Sequence, residues 1–131
     1  MRKSAILILA IVIVPGCAAR SRTATSVREV REGLASYYGP GFDGKTTASG
    51  VPFNMHAMVA AHPTYPFGTT VRVTNLRNQR AVDVRVLDRG PAKGPRSDGV
   101  LIDLSYGAAQ ALGFIRQGRT RVRLEVLRWG D

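Results

Sequence analysis

The stretch "TTVRVTNLRNQRAVDVRVLDRGP", residues 69–91, decides the fold. Apolar and polar residues alternate over "TTVRVTNL" (69–76) and again over "AVDVRVLD" (81–88), with "RNQR" (77–80) between them. Alternation with a period of two puts Val84 and Val86 on one face and Arg85 on the other, as a half-buried strand requires. Two such runs joined by a short polar turn predict a β-hairpin. The second run stops at Asp88, and Gly90-Pro91 turns the chain. Aspartate favours turns because its side chain bonds nearby backbone N–H groups. A carboxylate at a strand end can also do chemistry, and both readings stand for Asp88 at this point.

Outward from the hairpin the texture stays β-like. "MVAAHPTYPFG" (58–68) predicts a short strand ending near His62, before Pro63 and Pro66. "GLASYYG" (33–39) reads as a first strand, and "FDGKTTASGVPFNMHA" (42–57) as a loop broken by Gly44, Gly50 and Pro52. After a loop rich in Gly and Pro, "GVLIDL" (99–104) reads as a buried strand. Ser105 is a good N-cap for a short helix, "YGAAQAL", and Gly113 is placed to stop it. "TRVRLEVLRW" (120–129) is the last alternating strand, and "GTTVRVTNL" (68–76) and "GRTRVRLEV" (118–126) are faintly alike, hinting at two related halves. Several short strands with one brief helix favour a small closed β-barrel, which leaves no sheet edge exposed.

The 131 residues allow one domain, and part of the length lies outside it. Residues 1–17, "MRKSAILILAIVIVPGC", have a basic start and an apolar run from Ala5 to Val14. That run is shorter than the roughly 20 residues a bilayer span needs, but it suits an export leader. Cys17, the only cysteine, falls where the leader ends. The pattern resembles a bacterial lipoprotein signal, in which such a cysteine is lipidated and becomes the first mature residue, although Pro15 is unusual there. An ordinary secreted protein with a free thiol, or an uncleaved anchor, is the alternative. A lone cysteine permits no internal disulfide, so an exported domain must hold by its core and backbone pairing. Residues 18–32, "AARSRTATSVREVRE", read as a tether able to reach about 50 Å at full extension. The net charge of +10 falls to +8 if Arg2 and Lys3 leave with the leader. Such a charge suits nucleic acid, anionic headgroups or an acidic polymer. Export argues against nucleic acid, and Arg72, Arg85, Arg121 and Arg123 alternate with apolar residues as a solvated outer face would.

Taken in order, "GLASYYGPGFDGKTTASG", "AAHPTYPFGTTVRVTNLRN", "VRVLDRGP" and "LIDLSYGAAQALGF" resemble the successive motifs of the rare lipoprotein A (RlpA) family, over about residues 33–128. The resemblance implies a mainly β fold, a six-stranded double-psi β-barrel with one or two short helices, shared with expansins and several polysaccharide-cleaving enzymes. It implies a lytic transglycosylase acting on peptidoglycan glycan strands, preferring those without stem peptides, and needing no cofactor or metal. By the same resemblance Asp88 is the catalytic acid, and His62 lies in the same groove. Substrate contacts are expected at Tyr37, Tyr38, Thr47, Val51 and Arg89, with Tyr37 standing where a tryptophan is usual. Val51 is the departure, since relatives carry a glutamate there. That departure keeps open an alternative, a non-catalytic peptidoglycan-binding or septal structural lipoprotein. No glycan-binding SPOR domain is expected after the barrel. Expected partners are glycan strands, a membrane through the lipid on Cys17, and divisome or other cell-wall proteins. Ala18 after the cysteine, rather than an aspartate, points to the periplasmic face of a Gram-negative outer membrane.

The chemistry tolerates the missing glutamate. In lytic cleavage an acid protonates the glycosidic oxygen, and the muramic acid's own C6 hydroxyl attacks C1, leaving a 1,6-anhydro sugar. Ordinary glycosidases need two carboxylates. Here the nucleophile is intramolecular, with effective concentrations of about 10⁵ M or more in good cases, so one carboxyl can serve as acid and then base. A free aspartic acid has a pKa of about 3.9, which burial would raise and Arg85 or Arg89 would lower. His62 either orients Asp88 and shares its proton or is a hydrogen-bonded residue at a strand end. Tyr37 and Tyr38 either pack the barrel or stack on sugar. Asp103, in "IDLS", is expected to tie the helix start or a loop.

Overall fold

The computed structural model describes residues 8–13, 16 and 26–131. Six strands and two short helices follow in order: β1 (Glu29–Tyr37), β2 (Val59–Ala61), β3 (Thr70–Asn75), β4 (Ala81–Asp88), α1 (Lys93–Ser97), β5 (Val100–Leu104), α2 (Tyr106–Leu112) and β6 (Thr120–Arg128). The strands close into a barrel in the order β1-β5-β2-β4-β3-β6. The β1–β5 and β2–β4 pairs are parallel and the other four are antiparallel.

Alternation positions the core as the sequence requires. Val71 and Val73 of β3, Val84 and Val86 of β4, and Val122, Leu124 and Val126 of β6 all point inward and are buried. Each contributes roughly 1.5–3 kcal/mol relative to an exposed side chain. Between them Arg72 faces out and meets its cross-strand partner Asp83 through two bonds of 2.9 and 3.2 Å. The arginines that alternate along the strands therefore lie on the outside. The faintly similar segments 68–76 and 118–126 run side by side, with Val73 opposite Leu124.

Two boundaries differ from the sequence reading. β1 begins at Glu29, inside the segment read as a tether, because residues 29–32 pair with Val126 to Arg123 of β6. The Gly/Pro-rich stretch before β5 winds into α1, a single turn and a half read as loop. The helix α2 matches its expected limits. Ser105 Oγ accepts from Ala108 N at 3.1 Å and donates to Ala57 O at 2.5 Å, and Gly113 closes the helix at φ 78°. Cys17 and most of the leader and tether lie outside the described residues.

Candidate active site

Strand register brings four residues into one row across the barrel. Ser36 of β1 pairs with Asp103 of β5, Asp103 with Ala61 of β2, and Ala61 with Asp88 of β4. Alanine in the middle forms a fully buried floor with a carboxyl group on either side. Gly90 lies above that floor: a Cβ there would sit 3.4 Å from Asp103 Oδ2 and 3.5 Å from the Ala61 methyl. Its φ of +145° is a conformation that favours glycine, so the turn after β4 can fold over the row.

The two carboxyl groups have different surroundings. Asp88 is half-buried and accepts three hydrogen bonds: from Tyr38 Oη to Oδ2 at 2.8 Å, and from Ala48 N and Arg89 N to Oδ1, both at 2.9 Å. It is thus fixed in orientation. Burial, and then the bond to Asp88, push the Tyr38 phenol far above its ordinary value, so it stays a donor. Asp103 is bonded by Ser36 Oγ and lies within electrostatic reach of Asp88. Burial pushes its carboxyl pKa up, against the bond from Ser36 and the charge of Arg119, which lower it.

The remaining expected residues divide. Thr47 is buried and braces a turn: its Oγ1 bonds Val51 O at 2.7 Å and Ser49 Oγ at 2.8 Å, while Ser49 N donates to Leu87 O at 3.1 Å. That brace presents the Ala48 N–H to Asp88. The Val51 side chain is exposed, and its carbonyl serves the same turn. Tyr38 packs between Phe42 and Phe53 with its hydroxyl in the site. Tyr37 takes the packing alternative: its ring lies edge-on to Tyr106 and Phe114, and its hydroxyl donates to Ile115 O. Arg89 folds back, with Nη1 donating to Tyr65 O at 2.8 Å and the guanidinium over the Phe67 ring.

His62 joins Asp88 through backbone only, His62 N donating to Asp88 O at 3.1 Å. Its Nδ1 accepts from Thr64 N and Tyr65 N at 3.1 and 3.0 Å, and its ring stacks on Tyr65. Burial pulls its pKa down to about 4, so the ring is neutral with its proton on Nε2. No buried side-chain nitrogen or oxygen among the described residues lacks a partner, so the unpartnered Nε2–H reaches the surface. His62 is a fixed hydrogen-bond donor rather than a sharer of the Asp88 proton.

Asp103 completes the candidate row in a place that sequence reasoning did not give it. It ties neither the helix start, which Ser105 caps by itself, nor a loop. Alternation along "VLIDL" does turn it away from buried Ile102 and Leu104. Only the strand order, with β2 between β4 and β5, brings it near Asp88.

A closed six-stranded barrel with this strand order and these two parallel pairs is a double-psi β-barrel. Solved structures of the same architecture are a Streptomyces papain inhibitor (TM-score 0.61, 25% identity, covering 78% of this chain and 97% of that one) and the expansin of Clavibacter michiganensis (TM-score 0.58, 25% identity, 79% and 52%). Within that class the chain belongs to the lytic transglycolase family, whose model matches residues 30–124. The endolytic peptidoglycan transglycosylase RlpA of Campylobacter jejuni is 49% identical over 109 residues, 83% of this chain and 38% of that protein. Its counterpart in Haemophilus influenzae is 50% identical over 98 residues, 75% of this chain and 33% of that protein. The chain therefore spans about a third of the length of these relatives.

Proposed function

We propose that the barrel is a lytic transglycosylase that cleaves peptidoglycan between N-acetylmuramic acid and N-acetylglucosamine, preferring strands without stem peptides. The observation that carries this reading is the pair of carboxyl groups flanking Ala61 beneath Gly90. A scissile bond held over the Gly90 turn that covers this row has one carboxyl on each side. Asp103, whose burial favours the protonated form, donates to the glycosidic oxygen as the C1–O bond breaks. The C6 hydroxyl of the same sugar attacks C1, and Asp88 takes up the hydroxyl proton on the acceptor site its three donors leave free. The products are a 1,6-anhydromuramic end and a free C4 hydroxyl on the departing sugar. The proton then passes from Asp88 back to Asp103 through solvent, and no water is consumed. This assigns to two residues what one carboxyl would otherwise do in turn. His62 Nε2–H serves as a neutral donor to the strand.

The test is release of anhydro-ended fragments from peptide-free glycan. Asp88→Asn keeps the shape of the side chain and should lower the rate by at least about a hundredfold, within the range of general acid–base contributions. An Asp88→Asn protein as active as the parent overturns the reading. A non-catalytic glycan-binding module is the second reading, favoured by the apolar, exposed Val51 where the family resemblance leads one to expect a glutamate. It prevails if the parent releases no anhydro ends.

We also propose a lipid anchor on Cys17 and residence on the periplasmic face of the outer membrane. Ile8, Leu9, Ile11, Val12 and Ile13 are all exposed, as befits a leader that contributes nothing to the barrel core. Cys17→Ser should release the protein from the membrane fraction or leave an unprocessed precursor.

A further inference from the structure

A cavity of about 470 Å³ opens beside the loop that follows β2. Neither Asp88 nor Asp103 lines it; its walls include Glu29, Arg31, His62, Tyr65, Arg96 and Trp129. Glu29, Arg31 and Tyr65 are held in one network. Tyr65 Oη donates to Glu29 Oε2 at 2.5 Å, and Arg31 Nη2 to Glu29 Oε1 at 3.3 Å. Tyr65 stacks on His62 on one side and meets Trp129 edge-on at 5.3 Å on the other. Trp129 is left 42% exposed at the cavity wall.

The charges at the cavity do not cancel. Arg31 offsets Glu29, and His62 is neutral. Arg96 of α1 has no ion pair among the described residues, so one guanidinium is in surplus. An exposed indole ringed by fixed donors and acceptors matches a pyranose, whose C–H face packs on an aromatic ring while its hydroxyls bond at the rim. A surplus guanidinium matches one carboxylate. The loop 62–66 that walls the cavity is tied to the end of β4 by His62 N to Asp88 O and by Arg89 Nη1 to Tyr65 O.

We propose that this cavity is a subsite for a pyranose bearing a free carboxylate, the lactyl ether of a muramic acid residue that has lost its peptide. The proposal rests on the glycan-strand reading and adds to it a place where peptide-free strands are told apart. A peptide joined to that carboxyl removes its charge and leaves Arg96 without a partner.

Trp129 is the only tryptophan, so its emission reports on the cavity directly. The full chain and its Asp88→Asn variant are titrated with a peptide-free peptidoglycan tetrasaccharide and with chitotetraose, which lacks the lactyl groups. The expected result is a saturable emission change with the peptidoglycan fragment, at a Kd about tenfold below that for chitotetraose. Arg96→Gln should remove that preference, and Asp88→Asn should keep it. Absence of a saturable change, equal affinity for the two sugars, or a preference that survives Arg96→Gln would each overturn the proposal. Anhydro-ended product without an emission change sinks the subsite alone. An emission change with the expected preference but no product upholds the subsite and sinks the catalytic reading.

Discussion

Asp88 and Asp103 differ in what surrounds their oxygens, and the difference can be read by pH. Ser36 Oγ bonds Asp103 and pulls its pKa down against the effect of burial. Ser36→Ala removes that pull, so the carboxyl should keep its proton to higher pH. If Asp103 is the acid, the alkaline limb of the activity profile moves upward in the variant. An unmoved alkaline limb would take the acid role from Asp103. His62 gives a second check. Its folded pKa of about 4 lies below the ordinary histidine value of about 6.5, so the unfolded chain binds the proton first. The stability that neutral His62 contributes is present above about pH 6.5 and is lost as pH falls toward 4. Imidazole proton shifts followed through that window should give a midpoint near 4; a midpoint near 6.5 would show a ring open to solvent.

At the scale of the element, α2 is the clearest case of local chemistry setting a boundary. Ser105 is fully buried and both caps the helix and reaches Ala57 O. Ser105→Ala removes the cap and one of the two bonds to Ala57 O, which keeps its bond from Val59 N, costing about 1–2 kcal/mol. At roughly 4–8 °C per kcal/mol for a domain of this size, the melting temperature should fall by at least about 4 °C. A smaller loss would mean that packing of Ala108, Ala109 and Leu112 carries the helix without its cap. Elements of this kind were legible because their signals are local: alternation for β3, β4 and β6, a cap and a glycine for α2. The start of β1 was not, since "REVRE" has few apolar residues and gains its strand form only from pairing with β6. Asp88 was nominated through a contiguous motif. Asp103 and the bracing role of Thr47 were hidden, because each depends on a partner far away in the chain or on a backbone turn.

At the scale of the whole molecule, closure depends on pairs that no local pattern announces. The parallel pairs β1–β5 and β2–β4 join segments separated by intervening strands, and the site exists only where they meet. The place of β1 in that closure also has a mechanical side. Its first residues, Glu29 to Ala35, run antiparallel to β6 over seven paired positions, and its last four pair with β5. A pull applied through the residues before Glu29, while glycan is gripped at the row of carboxyls, acts along the strand axis. The hydrogen bonds on both flanks stand across that axis, so they are loaded in shear and must yield together rather than one by one. On the proposed function, such a barrel bears tension between its N-terminal end and the glycan strand.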